Sequence, residues 1–408
     1  MNLEYYPNVP KNLLKKDLNT IKTNKDNWKS PFFMDTRSYL NLEEIKKKSS
    51  PFIGQEIENI IILGTGGSIQ TFLALKHLSE KKIYPITSSR AVELHNCLEQ
   101  TRPDNSVVIP ISRSGKTLDV NSTIGTFLER DYPFIGLSSR GPMNKLLTGI
   151  DAPILDVPDL SGRFAASITT VAIVPAYIAQ IDISKFLAGL ENGYDEYMTY
   201  SENLSLEFAT YLFNLYKKGY KVIFSMPYSK NLEGSVGLFV QEISESTGKK
   251  EKGLMGAYQE APLCQHSVLE YLLGGTKGAV LPIIWSIEKE KSDLALNSSL
   301  EYIDGNSAQE IVNYQADATF QALLDQKVPA AKISIENPDE TNIGTLVAFI
   351  QSTVYYLCLL LNVNWANNPK VNIGKEICNN ALENNLPAIE RKKKREEIAN
   401  TQFKSFFE

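Results

Sequence analysis

The stretch Ile60-Ile61-Ile62-Leu63-Gly64-Thr65-Gly66-Gly67-Ser68 decides the fold. A short apolar run that stops at a glycine loop reads as a parallel strand buried on both faces. Past the loop, Phe72, Leu73, Leu75 and Leu78 recur at helical spacing over residues 68–78. Strand, glycine loop and helix make the first step of a βα unit. Similar strand-like runs follow at 106–111, 133–137 and 153–157, with helical segments between them, including 121–130. Strands alternating with helices predict a doubly wound α/β domain with a mainly parallel sheet.

The rhythm returns further along, with strand-like runs at 221–226, 279–287 and 332–335 and a helical segment at 234–245. Four segments result: an N-terminal extension over 1–50, a first α/β domain over 51–185, a second over 186–365 and a helical C-terminal segment over 366–408. The extension is polar and rich in Lys and Asn, with Pro7, Pro10 and Pro31, and reads as short helices and loops wrapped on a larger body. Near the other end, the basic run from Arg391 to Arg395 is followed by two glutamates, as on a solvated helix face.

Composition narrows the function. A chain of 408 residues with 43% hydrophobic content can bury a sizeable core, and two domains are the simplest division. A net charge of −5 argues against nucleic acid as the main partner but leaves room for a local basic pocket that takes an anionic small molecule. The four cysteines, Cys97, Cys264, Cys358 and Cys378, form no C-x-x-C pair, and there are only three histidines, so neither a zinc ribbon nor another metal site is expected. The apolar stretch 343–361 is interrupted by Gly344, Thr345, Gln351, Ser352 and Thr353 and reads as a buried helix rather than a membrane span. The N-terminus has no apolar signal-peptide core. The expected setting is the cytoplasm, with no membrane partner.

Four clusters carry chemistry. Gly64–Ser68 follows a strand and opens a helix, where free backbone N–H groups favour a phosphate; the same loop would also serve as a plain tight turn. It departs from the dinucleotide pattern, with Ile69 where a third glycine would fall, and it lacks the Gly-Lys-Ser/Thr of a P-loop. Ser112-Arg113-Ser114-Gly115-Lys116-Thr117 follows the next buried strand and sets three hydroxyls and two cations together, which suits a phosphate dianion or an N-capping loop. Leu160-Ser161-Gly162-Arg163-Phe164 offers an arginine between a glycine and an aromatic ring. Finally, Gln241-Glu242-Ile243-Ser244-Glu245-Ser246-Thr247-Gly248-Lys249 places Glu245 near a helix end, and Gln265-His266 follows. A carboxylate at the negative end of a helix dipole is harder to ionise, which suits a general base near neutral pH.

Read together, these clusters resemble the phosphoglucose isomerase family. Gly66-Gly67-Ser68 is similar to its Gly-Gly-Ser phosphate loop, and Ser112–Thr117 to its Ser/Thr-rich element. Gly162-Arg163-Phe164 resembles its Gly-Gly-Arg-Phe/Tyr motif with Ser161 for the first glycine. Glu245-Ser246-Thr247-Gly248-Lys249 resembles its Glu-Ser-x-Gly-Lys signature, Gln265-His266 its Gln-His, and Gly374-Lys375 its C-terminal lysine region. The motifs stand in the family's order between about residues 60 and 380.

The resemblance implies two sugar-isomerase (SIS) domains, a homodimer with a shared site, and reversible isomerisation of glucose 6-phosphate and fructose 6-phosphate without a cofactor or a metal, a step of glycolysis and gluconeogenesis. It implies Glu245 as the base between C2 and C1, Arg163 as the stabiliser of the enediolate, and His266 (supplied by the partner subunit) and Lys375 as aids to ring opening. Gly67, Ser68, Ser112, Ser114, Thr117 and Gly162 would line the phosphate and substrate site, with Arg113 and Gln241 nearby. Departures are Lys116 inside the serine loop and Asn368 where a phosphate-binding Gln usually stands. Rival readings are a sugar-phosphate-binding regulator with SIS domains, which need not keep Glu245, His266 and Lys375, and an isomerase that also accepts mannose 6-phosphate.

Overall fold

The computed structural model describes residues 1–160, 163–200, 203–387, 390 and 392–399, with only the backbone of Arg163, Ala165 and Ala166. It divides into two compact units, Met1–Asn367 and Asn368–Glu408. Among the described residues, ten strands lie in the first: β1 (Asn2–Tyr6), β2 (Asn59–Leu63), β3 (Lys82–Ile86), β4 (Ser106–Pro110), β5 (Gly136–Leu137), β6 (Ile154–Leu155), β7 (Val222–Pro227), β8 (Met255–Tyr258), β9 (Val280–Ile287) and β10 (Ala330–Ile335).

One sheet has the order β3-β2-β4, all parallel, and parallel bridges Val108–Phe134 and Ile111–Leu137 continue it into the β5–β6 pair. All five residues of β2 and all five of β4 are buried, the state their unbroken apolar runs require under helices on both faces. Each Ile or Leu removed from water there contributes about 1.5–3 kcal/mol. The chain runs from β2 to β3 on one side and then crosses to β4 on the other, so the strand order reverses between β2 and β4.

The other sheet has the order β1-β10-β9-β7-β8, parallel except for β1. Two of its strands depart from the sequence reading. The extension begins not with a loop or helix but with β1, antiparallel to β10 from Asn2–Ser334 to Tyr6–Ala330. It is a half-exposed edge strand with polar residues interleaved, which gives no continuous apolar run to read. Met255–Tyr258 is a short strand at the opposite edge, with Met255 and Tyr258 exposed, and so lacks the same signal. The segment 121–130 is also broken into the two short helices Leu118–Asn121 and Ile124–Leu128.

The apolar stretch near the C-terminus forms helix Glu340–Leu361, buried at every residue from Leu346 to Leu361. Among the described residues it is the one helix long and apolar enough to cross a membrane, and its apolar window is 94% buried inside the protein. Buried on all sides, it is a core helix.

A histidine ties the two sheet layers together. His77 Nε2 donates to Pro338 O at 2.7 Å, joining the turn Lys76–Leu78 to the segment after β10. Burial depresses the His77 pKa below the ordinary 6.5, outweighing the pull of Glu290 and Glu340. The folded state thus binds fewer protons than the unfolded one. This contribution to stability is complete above pH 6.5 and is lost as pH falls from there toward the lower folded value. His77→Gln should flatten that part of the stability profile, as urea midpoints measured from pH 8 down to about pH 5 would record. An unchanged slope would show that His77 is not the group responsible.

Candidate active site

Two loops leave the carboxyl ends of β2 and β4, the neighbouring strands between which the order reverses. Ligands of open α/β sheets sit at that point. The loops start side by side, since Ile111 N donates to Leu63 O at 2.8 Å. In the first, Gly66–Ser68 forms a 3-10 turn. Ser68 Oγ accepts from Thr65 N at 3.2 Å and donates to Thr65 O at 2.8 Å, which closes the loop on itself. Gly67 is half-buried in the middle of that turn.

In the second loop, Ser112 Oγ lies 2.7 Å from Thr117 Oγ1 and accepts from Thr117 N at 3.3 Å, while Ser114 Oγ accepts from Lys116 N at 3.3 Å. Gly115 has φ +65°, and a Cβ there would lie 2.3 Å from Arg140 O, so only glycine allows the two loops at this corner to touch. Lys116 is exposed. Arg113 is ion-paired with Asp159, so its charge already faces a carboxylate of this chain.

Helix Glu233–Thr247, which joins β7 to β8, carries the acidic cluster. Gly234, Gly237, Gln241 and Glu245 fall on one face at spacings of three and four. That face meets helix Gln70–Leu75 of the other layer. A Cβ at Gly234 would stand 2.0 Å from Leu73 O, and one at Gly237 would stand 3.2 Å from Gln70 Nε2. The missing side chains let the two helices close, and the same face then delivers Gln241 to the first loop, with its Nε2 3.4 Å from where a Gly66 Cβ would be. One turn on, Gln241 Nε2 donates to Glu245 Oε2 at 3.0 Å. Glu245 is half-buried. Lys249 Nζ donates to Ser246 O at 2.8 Å and holds the helix end.

The arginine motif is described in part. Gly162 and Ser161 lie outside the described residues, and so does the side chain of Arg163. The turn Arg163–Ile168 packs against the Gly66–Ser68 turn. Phe164 is buried between Phe33 and Trp365, with ring centroids at 4.8 Å and 5.2 Å.

The structure therefore brings together Gly67, Ser68, Ser112, Ser114, Thr117, Gln241, Glu245 and the backbone at Arg163. It does not bring in His266, which ends the turn Leu263–His266 and is exposed; among the described residues no hydrogen bond or ion pair joins it to the others. Lys375 is exposed on helix Val371–Glu383 in the second unit. Gly234 and Gly237 were legible as small residues at helical spacing but not as the contact that seats Glu245. Gln351, which interrupts the apolar run, lies behind this site, hydrogen-bonded to Glu242.

No protein-family model matches the chain. Its paired, mainly parallel sheets have the fold of the SIS phosphosugar isomerases. A putative phosphosugar isomerase from Silicibacter pomeroyi DSS-3 covers 86% of this chain, with 99% of its own length matched, at a TM-score of 0.50 and 12% identity. A glucose-6-phosphate isomerase from Chlamydia trachomatis D/UW-3/Cx covers 96% of this chain, with 90% of its own length matched, at a TM-score of 0.78 and 18% identity. In sequence, the glucose-6-phosphate isomerase of Methanocaldococcus jannaschii is 27% identical over 342 residues, 79% of this chain and 83% of that protein. The chain is a homologue of glucose-6-phosphate isomerases.

Proposed function

We propose that this protein interconverts glucose 6-phosphate and fructose 6-phosphate, as a step of glycolysis and gluconeogenesis. The observation that carries the reading is the seating of Glu245 and Gln241 on one helix face beside the glycine loop. It occurs in a chain homologous to proteins of that name. The sugar enters as a ring. A proton leaves the C1 hydroxyl and one is delivered to the ring oxygen, which breaks the C1–O5 bond and frees the aldehyde. His266 and Lys375 are assigned to this step, for which an imidazole is suited near neutral pH.

Glu245 then takes the C2 proton. The C2–H electron pair becomes the C1–C2 double bond, and the carbonyl pair moves to O1 as an enediolate. Arg163 is assigned to hold that charge, an interaction worth about 2.7–4 kcal/mol at comparable oxyanion sites. Transfer of the O2 proton to O1, with return of the proton from Glu245 to C1, gives the ketose. One carboxylate serves both carbons because they are adjacent, and the electrons stay within the sugar, so the route calls for no redox cofactor. The loops Gly64–Ser68 and Ser112–Thr117 are assigned to the phosphate, with Gly162 and Arg113 beside it. Binding there, remote from the reacting carbons, orients the sugar.

The same reading gives a cytoplasmic homodimer, with domains over 51–185 and 186–365 and the C-terminal segment from 366 bringing Lys375. The exposure of His266 supports its use in the site of a second subunit. Purified protein given fructose 6-phosphate should release glucose 6-phosphate with a turnover of about 1–10³ per second, followed through a coupled dehydrogenase. No conversion at high enzyme concentration would overturn the proposal.

A further inference from the structure

Gln351 sits midway along the core helix Glu340–Leu361 and is fully buried. A buried primary amide is costly unless its polar atoms are paired. Here Oε1 accepts from the Tyr194 hydroxyl, and Nε2 donates both to Ser167 Oγ at 2.8 Å and to Glu242 Oε1 at 3.0 Å. Ser167 Oγ in turn lies 3.2 Å from Thr71 Oγ1. Glu242, Ser167 and Thr71 are each 0% exposed, and Tyr194 is 2% exposed.

The partners lie on the elements that carry the proposed chemistry. Ser167 is in the turn Arg163–Ile168, whose first residue is the arginine assigned to the enediolate. Glu242 is on helix Glu233–Thr247, directly after Gln241 and three residues before Glu245. Thr71 is on the short helix Gln70–Leu75 that follows the glycine loop. Tyr194, on helix Ile183–Tyr197, holds the carbonyl end of the amide and so fixes which way the NH2 group points. An apolar residue would fill the volume but could not join these elements.

We infer that Gln351 is a positioning residue for the isomerisation: its amide sets the helix of Glu245 in register with the turn of Arg163. The inference rests on the roles proposed for those two residues. Gln351 acts through them, and among the described residues its hydrogen bonds run to Tyr194, Ser167 and Glu242 rather than to either phosphate loop. Its loss therefore falls on kcat rather than on KM, and displacement of reacting groups by about 1 Å costs about 10²-fold.

The test compares the intact protein with Gln351→Met, which keeps the side-chain length without the amide, and Gln351→Glu, which keeps the acceptor for Tyr194. Gln351→Met should lower kcat for fructose 6-phosphate about 10–100-fold with KM changed less than about threefold. Gln351→Glu sets an oxygen against Glu242 and should lose kcat when ionised. As pH is lowered, its protonated carboxyl becomes a donor again, so kcat relative to the unaltered protein at the same pH should rise. If Gln351→Met does not fold, that pH-dependent recovery decides. Folded variants with kcat within about threefold of the unaltered protein at every pH would overturn the inference. So would a loss in Gln351→Glu that pH leaves unchanged. An unaltered protein without isomerase activity would remove the proposed function first, and the inference with it, whereas an active protein with unaffected variants removes the inference alone.

Discussion

Glu245→Gln is expected to lower kcat by about 10³-fold or more, within the range that a positioned general base contributes. The change is nearly isosteric. The oxygen that accepts from Gln241 Nε2 at 3.0 Å can still do so as a carboxamide oxygen. What disappears is the ability to take a proton from C2. The loops assigned to the phosphate are held by their own bonds, Ser68 to Thr65 and Ser112 to Thr117, and should keep their shape. Calorimetric binding of fructose 6-phosphate should then change little while turnover collapses. Near-normal turnover in this variant would place the base elsewhere.

The largest loss of stability is expected at Trp365→Ala. Trp365 is fully buried, with its ring centroid 5.2 Å from Phe32, 5.4 Å from Phe33, 5.2 Å from Phe164 and 5.6 Å from Tyr355. Its Nε1 donates to Lys29 O at 3.3 Å. Removing the indole should cost about 3–5 kcal/mol, because the surrounding rings cannot collapse fully into the space. Phe164 follows Arg163 directly and loses an aromatic ring packed against it, so kcat should also fall in the fraction that remains folded. Denaturant unfolding gives the first effect, and turnover normalised to folded protein gives the second. A midpoint unchanged from that of the unaltered protein would contradict the packing account.

What could be read in the sequence depended on burial and locality. Strands β2, β4, β7 and β9 are buried within their sheets and show as apolar runs, so both sheets were visible. Strands β1 and β8 lie at the edges, where one side faces water, and the run is lost. The loops at Gly64–Ser68 and Ser112–Thr117 are local in sequence and were legible with their neighbours. The approach of Gln241 to the Gly66 loop is not local: it depends on Gly234 and Gly237 meeting a helix more than 150 residues away in the chain, and no periodicity encodes a partner. Gln351 was equally opaque. In the sequence it is one polar residue in an apolar run, and its use emerges only when Tyr194, Ser167 and Glu242 converge on it.

The most direct test of Glu245 as the proton carrier is to incubate the protein with glucose 6-phosphate in deuterated water and follow the C2 position by NMR. Transfer through an enediolate lets the carboxyl proton trade with solvent, so the unaltered protein should introduce deuterium at C2 while Glu245→Gln leaves that position protonated. Deuterium entering at the same rate in both proteins would contradict the assignment.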